Sequence, residues 1–133
     1  MKTDAPTHGV ILFAHGSRDP LWHRPIEAVA QRIRVNEPTR AVACAYLELS
    51  QPDLPSAAAA LIAQGVGHIR IVPLFLGMGK HAREDLPAIT AALRARHRAT
   101  EFELCPAVGE NPLLLDTLCA IALQDAGPAT PSP

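Results

Sequence analysis

The sequence predicts an α/β fold, an open, mostly parallel sheet flanked by helices on both faces. Three observations carry that expectation. Short, nearly continuous apolar runs stand at 9–14, 41–47 and 69–76; stretches of helical pattern lie between them; polar or turn-forming residues bound each run. Strands covered by helices on both sides need no polar face, so they read as unbroken apolar runs rather than as alternating ones. The 133 residues suffice for one such domain with one core.

The elements follow in order. Gly9-Val10-Ile11-Leu12-Phe13-Ala14 is the first strand, and a helix over 20–36 opens with Asp19-Pro20. A second strand runs from Ala41 to Leu47, and an alanine-rich helix over 53–65 opens with Asp53 and Pro55. The third strand spans Ile69 to Leu76. A helix from Ala82 to His97, a short strand from Phe102 to Cys105 and a last helix from Pro112 to Gln124 complete the domain. The β-α-β-α-β order implies right-handed crossovers. Residues 1–8 read as an N-terminal tail, 9–126 as the domain, and Gly127 to Pro133, rich in proline, as a disordered tail. No internal repeat is present.

Composition excludes several classes of function. With 48% hydrophobic residues, 19% charged residues and a net charge of -1, the chain has no general affinity for polyanions, so nucleic acid is not an expected partner. No apolar run follows the N-terminal charge, and none approaches the roughly 18 residues of a membrane span. The expectation is a cytoplasmic protein without a membrane partner. Cys44, Cys105 and Cys119 form no C-x-x-C pair and lie in apolar stretches, which predicts buried, reduced thiols without chemistry.

In an open parallel sheet, ligands bind beyond the carboxyl ends of the strands. The first strand runs into His15-Gly16-Ser17-Arg18-Asp19, the second ends within Tyr46-Leu47-Glu48-Leu49-Ser50, and the third ends in Gly77-Met78-Gly79-Lys80-His81. Two imidazoles and a carboxylate thus reach one edge. Such a set suits a borderline divalent ion, and it leaves coordination positions open for an ion that must arrive and leave. Around it, Gly16 and Ser17 offer backbone amides and a hydroxyl to an anion; Arg18, Lys80 and Arg83 offer pairing with substrate carboxylates; Gly77 and Gly79 permit close approach of a flat ligand. Taken singly, each has a plainer role: a histidine can cap a helix, Glu48 can be a solvated carboxylate, and the cations can form a charged rim. Their convergence on one edge favours the functional reading. His8, His23, His68 and His97 follow no such pattern and read as surface or packing histidines, and Trp22 reads as a packing anchor before a platform for an aromatic ligand.

The segments His15-Gly16-Ser17-Arg18-Asp19-Pro20, Tyr46-Leu47-Glu48-Leu49 with Pro52 and Leu54-Pro55, and Val72-Pro73-Leu74-Phe75-Leu76 with Gly79, His81, Asp85 and Leu86-Pro87 resemble, in order, the short form of the sirohydrochlorin cobaltochelatase family. Pro106-Ala107-Val108-Gly109 with Asn111-Pro112-Leu113-Leu114 extends the resemblance, which runs from about 9 to 123. It implies a ferrochelatase-like single lobe that pairs as a homodimer, and a lyase that inserts a metal into the tetrapyrrole sirohydrochlorin on the way to cobalamin or sirohaem. His15 and His81 are then the metal-handling residues and Glu48 a catalytic neighbour. The metal is a substrate, Co2+ first with Ni2+ or Fe2+ as alternatives, and no organic cofactor is implied. Leu21-Trp22-His23-Arg24 departs from the small polar residues of many relatives, and no histidine-rich segment for storing metal is present.

Metal insertion requires a desolvated ion and removal of pyrrole N–H protons. His15 and His81 are expected to hold the ion through neutral nitrogens, with Glu48, or His15 in a second role, as proton acceptor. The rival from another class is a metal or tetrapyrrole carrier without turnover. A phosphate- or nucleotide-binding protein built on His15-Gly16-Ser17-Arg18 is disfavoured, because neither G-x-G-x-x-G nor G-x-x-x-x-G-K-[ST] occurs.

Overall fold

The structure, a computed structural model, describes residues 7–125. The strands are β1 (His8–Ala14), β2 (Ala41–Tyr46), β3 (His68–Pro73) and β4 (Glu101–Leu104). The α-helices are α1 (Arg24–Asn36), α2 (Leu54–Ala63), α3 (Lys80–Arg96) and α4 (Pro112–Leu123). All strand pairs are parallel and the order across the sheet is β2-β1-β3-β4. This is the expected fold class. The tail expected to be disordered, 127–133, lies outside the described residues.

Three of the four described α-helices, α1, α2 and α4, begin where a side chain or a proline makes beginning cheap, whereas α3 starts from Gly79 without either. Asp19 accepts the amide of Leu21 and Asp53 that of Ser56, while Asn111 accepts that of Leu113. The helix expected over 20–36 divides in two. Pro20–His23 is a 3-10 turn, and α1 restarts at Arg24 because Pro25 has no N–H to continue the earlier ladder. The third helix starts at Lys80, before the expected Ala82, and carries Pro87 on its exposed side at the loss of one ladder bond.

The sheet has two unlike faces. On one, Ile11, Phe13, Ile69, Ile71 and Phe102 are buried against Leu54, Ala58 and Leu61 of α2 and Leu86 and Leu93 of α3. On the other, Val10, Leu12 and Ala14 pack with Ile26 and Ala30 of α1. That second face changes character towards β4. In register with Val10 and His8 stand Arg70 and His68, beside Glu103 and Glu101 of β4. His68 Nδ1 lies 3.2 Å from Glu101, Arg70 Nε lies 3.9 Å from Glu103, and Arg70 also donates to the Cys105 sulfur. Burial on both faces therefore holds for β1 but not for the starts of β3 and β4, where His68, Arg70, Glu101 and Glu103 make the outer face polar, while Val72 further along β3 packs against the second cluster.

The cysteines depart from expectation in one case. Cys105 is buried and Cys44 half-buried, but Cys119 is exposed, because α4 buries no residue of its own and packs chiefly on the short Val108–Glu110 turn before it. Among the described residues, no helix is long and apolar enough to cross a membrane.

Candidate active site

The carboxyl edge is assembled from the central strand outward. Pairing with β1 continues past the strand ends: the Leu47 amide donates to Ala14 O (2.8 Å), Glu48 to His15 O (2.9 Å) and Leu74 to Phe13 O (2.8 Å). His15 thus leaves the sheet with its backbone still tied to the Glu48 loop. Gly16 then turns at φ +103°, and a Cβ there would lie 1.7 Å from Glu48 O, so only glycine lets the two loops cross. The His15 ring is exposed and rests on Phe75, with centroids 4.3 Å apart. Phe75 is itself buried edge-on against Phe13.

Ser17 takes a different role from the one expected. Its amide donates to Ser50 Oγ (3.0 Å) and its hydroxyl accepts the amide of Asp19 (3.0 Å). The Ser17 amide, expected to receive an anion, is therefore already occupied from within, and what Ser17 retains for a substrate is its hydroxyl proton. Ser50 Oγ donates in turn to Ser17 O (2.8 Å). His23 Nε2 lies 3.1 Å from that carbonyl and 3.2 Å from Ser50 Oγ. The half-buried His23 ring packs edge-on against buried Tyr46 (4.8 Å, 71°). Burial, ahead of the nearby Cys44 and Glu27, pushes the Tyr46 hydroxyl up to about 12.

The third loop is propped from behind. Gly109 donates to Phe75 O (3.0 Å), and a Cβ on Gly109 would lie 1.6 Å from Leu76 O, so this glycine sets how closely the C-terminal segment supports the loop. Gly77 and Gly79 have open space around them instead. His81 stands exposed in the first turn of α3 with Lys80 and Arg83, and Arg18 is exposed after Ser17. Ion pairs among the described residues involve none of these three cations.

His15, Glu48 and His81 share this edge without closing into a three-donor site: among the described residues, no three His, Cys, Asp or Glu side chains are gathered so as to hold an ion. Large apolar side chains stand in the segments that follow the same strands. Leu21, Trp22, Leu47, Leu49 and Leu76 are exposed, and Leu49 adopts φ 63°, a left-handed conformation that costs a branched residue about 1–2 kcal/mol. Trp22 is 36% exposed with its ring edge-on to His23, so it is part of the rim as well as an anchor. Sequence reasoning missed Ser50, His23, Phe75 and Gly109. Of these, Phe75 and Gly109 stood in segments that carry the family resemblance, without a role assigned to either.

A model of the CbiX family matches residues 9–124. The chain belongs to the CbiX family. A solved CbiX protein, described as one of cobalamin biosynthesis, from Marinobacter aquaeolei superposes with a TM-score of 0.75 at 35% identity, covering 86% of this chain and 93% of that one. The sirohydrochlorin cobaltochelatase of Methanothermobacter thermautotrophicus is 38% identical over 84 residues, 63% of this chain and 58% of its own length. The chloroplastic sirohydrochlorin ferrochelatase of Arabidopsis thaliana is 26% identical over 110 residues, 83% of this chain and 49% of its own length. The chain thus spans only about half to three-fifths of these curated relatives. The cobalt complex of the Bacillus subtilis sirohydrochlorin chelatase SirB, with a TM-score of 0.72 at 22% identity, shares the fold with this CbiX-family chain.

Proposed function

We propose that this CbiX-family chain is a chelatase that inserts a divalent metal, cobalt(II) first and nickel(II) or iron(II) as alternatives, into sirohydrochlorin or a related tetrapyrrole. The observation that carries the reading is the tied pair of loops at the carboxyl edge, where His15 leaves the central strand hydrogen-bonded to the loop of Glu48. Membership of the family and the chelatase names of its relatives supply the substrate class.

In this reading the ion is a substrate. His15 and His81 hold it through neutral imidazole nitrogens, and the few protein ligands leave positions for the macrocycle nitrogens. Each pyrrole N–H gives up its proton as its nitrogen binds the metal. Glu48, or His15 once the ion has left it, accepts that proton and passes it to water, a step that contributes ~10²–10⁴-fold. The apolar rim of Leu21, Trp22, Leu47, Leu49 and Leu76 covers a face of the ring. Arg18, Lys80, Arg83 and the Ser17 hydroxyl meet its carboxylates. No organic cofactor takes part, and the setting is the cytoplasm.

The partner is a second copy. One domain offers a single wall to a flat macrocycle, and α4 presents Leu113, Leu115, Leu118, Ile121 and Leu123 to solvent with one charge, Asp116, among them. A helix apolar on every side is stable in water only when covered. It springs from the turn that props Leu76, so a two-fold pairing through α4 adjoins the substrate edge.

The test is anaerobic absorbance of the purified chain with sirohydrochlorin and, in turn, Co2+, Ni2+ and Fe2+. Acceleration over the uncatalysed rate, lost in His15→Ala and His81→Ala, is the expected outcome. No acceleration with any metal rejects the enzyme. The loosely gathered donors favour one second reading, a carrier. Glu48→Gln separates the two: an enzyme loses insertion rate by ~10²-fold or more while keeping metal affinity, whereas a carrier is indifferent.

A further inference from the structure

Beyond His15 the backbone pairing of the first loop ends. The cross-loop hydrogen bonds that continue it, among the described residues, come from two side chains with no assigned part in the site. Ser50 engages Ser17 at both its amide (3.0 Å) and its carbonyl (2.8 Å), as a neighbouring strand would, although it lies 33 residues away on the loop after β2. Its one proton is committed to the Ser17 carbonyl. His23 Nε2 therefore faces two oxygens with no proton to give it, the Ser17 carbonyl and Ser50 Oγ, which assigns the ring proton to Nε2 and makes His23 a donor to the same knot. The other side of the ring rests on Tyr46, a residue of the core.

We infer that Ser50 and His23 are positioning residues for metal handling: they fasten Ser17 to the core and so fix the direction in which His15, two residues earlier, presents its imidazole. The inference rests on the chelatase reading of His15. The structural warrant is the path itself: Tyr46 to His23 by ring packing, His23 to the Ser17 carbonyl by a hydrogen bond, and Ser17 to His15 along the chain through Gly16. His15 needs such support because its ring is exposed and meets Phe75 at one face, and the Glu48 amide holds its carbonyl on one flank only, so the clamp at Ser17 secures the chain on the far side of the Gly16 turn.

The experiment is cobalt(II) binding to the purified full chain, read from the visible absorption of the bound ion, for Ser50→Ala, His23→Phe and His23→Gln, each with His15 intact and in a His15→Ala background. Loss of either clamp residue with His15 present is expected to weaken cobalt binding roughly tenfold, the usual cost of removing an outer support of a metal ligand, with an unchanged far-ultraviolet circular dichroism spectrum. His23→Gln keeps an N–H donor and recovers affinity to within about threefold of the parent. In the His15→Ala background the same substitutions change nothing further, since no imidazole remains to be aimed. Equal losses in both backgrounds mean a merely structural role and overturn the inference, as does parental affinity in Ser50→Ala. If His15→Ala alone leaves cobalt binding untouched, the metal role of His15 falls, and the clamp falls with it.

Discussion

Replacing Gly16 by alanine sets a methyl carbon where the Glu48 carbonyl oxygen already lies, at a φ that side chains avoid. Neither loop can give way without breaking the Glu48 amide bond to His15, so Gly16→Ala is expected to cost about 3 kcal/mol or more in urea unfolding. Gly77→Ala, with open space around it, should stay within about 0.5 kcal/mol of the parent and serves as the control. At this scale His15 and Glu48 were legible because each directly follows an apolar run, and the fold turns that position into an edge. Ser50, His23 and Gly109 were not. Ser50 and Gly109 meet partners on distant loops, Ser17 and Leu76, and His23 meets Ser17 only because the turn at Pro20–His23 folds its ring back, so no local spacing encodes these contacts.

The elements themselves were legible within a few residues, since hydrophobic runs and caps are local. Asp53 illustrates what a cap adds. The hydroxyl and amide of Ser56 bond its carboxylate and hold it below the usual range. A lowered folded-state value means stability that is present above the unfolded carboxylate range, near pH ~3.9, and lost as pH falls through the folded value. Asp53→Asn keeps an acceptor and should flatten the acid limb of the melting-temperature profile, whereas Asp53→Ala should lose about 1 kcal/mol at neutral pH. Less legible were the split at Pro25 and the polar face of β3. The alternation of His68 and Arg70, echoed by Glu101 and Glu103, is written in the chain, yet the apolar run from Ile69 masks it because Ile71, Val72 and Pro73 crowd the same stretch. That α4 is a helix was plain from its composition; that it buries none of its residues against the others described was not.

At the scale of the whole molecule the expected parallel sheet and its two helical layers are present, but strand order is set by packing and crossovers rather than by any local run. The uncovered α4 gives this scale its prediction. Leu118→Lys with Ile121→Lys removes apolar surface that the domain's core does not use, so monomer stability should hold to about 0.5 kcal/mol while the mass by sedimentation falls from that of a dimer to that of a monomer. A parent chain that sediments as a monomer at high micromolar concentration rejects the pairing.

The place of β1 between β2 and β3 has a mechanical consequence for the chelatase reading. Its amides are paired on both flanks, and such interior strands open only when the domain as a whole unfolds. His15 grows from that strand, whereas His81 stands in the first turn of α3, beyond a loop where Gly77 and Gly79 leave open space for a side chain. If both imidazoles handle the ion, as proposed above, they do so from unlike mounts: one continues an interior strand, and the other rides on the first turn of a helix.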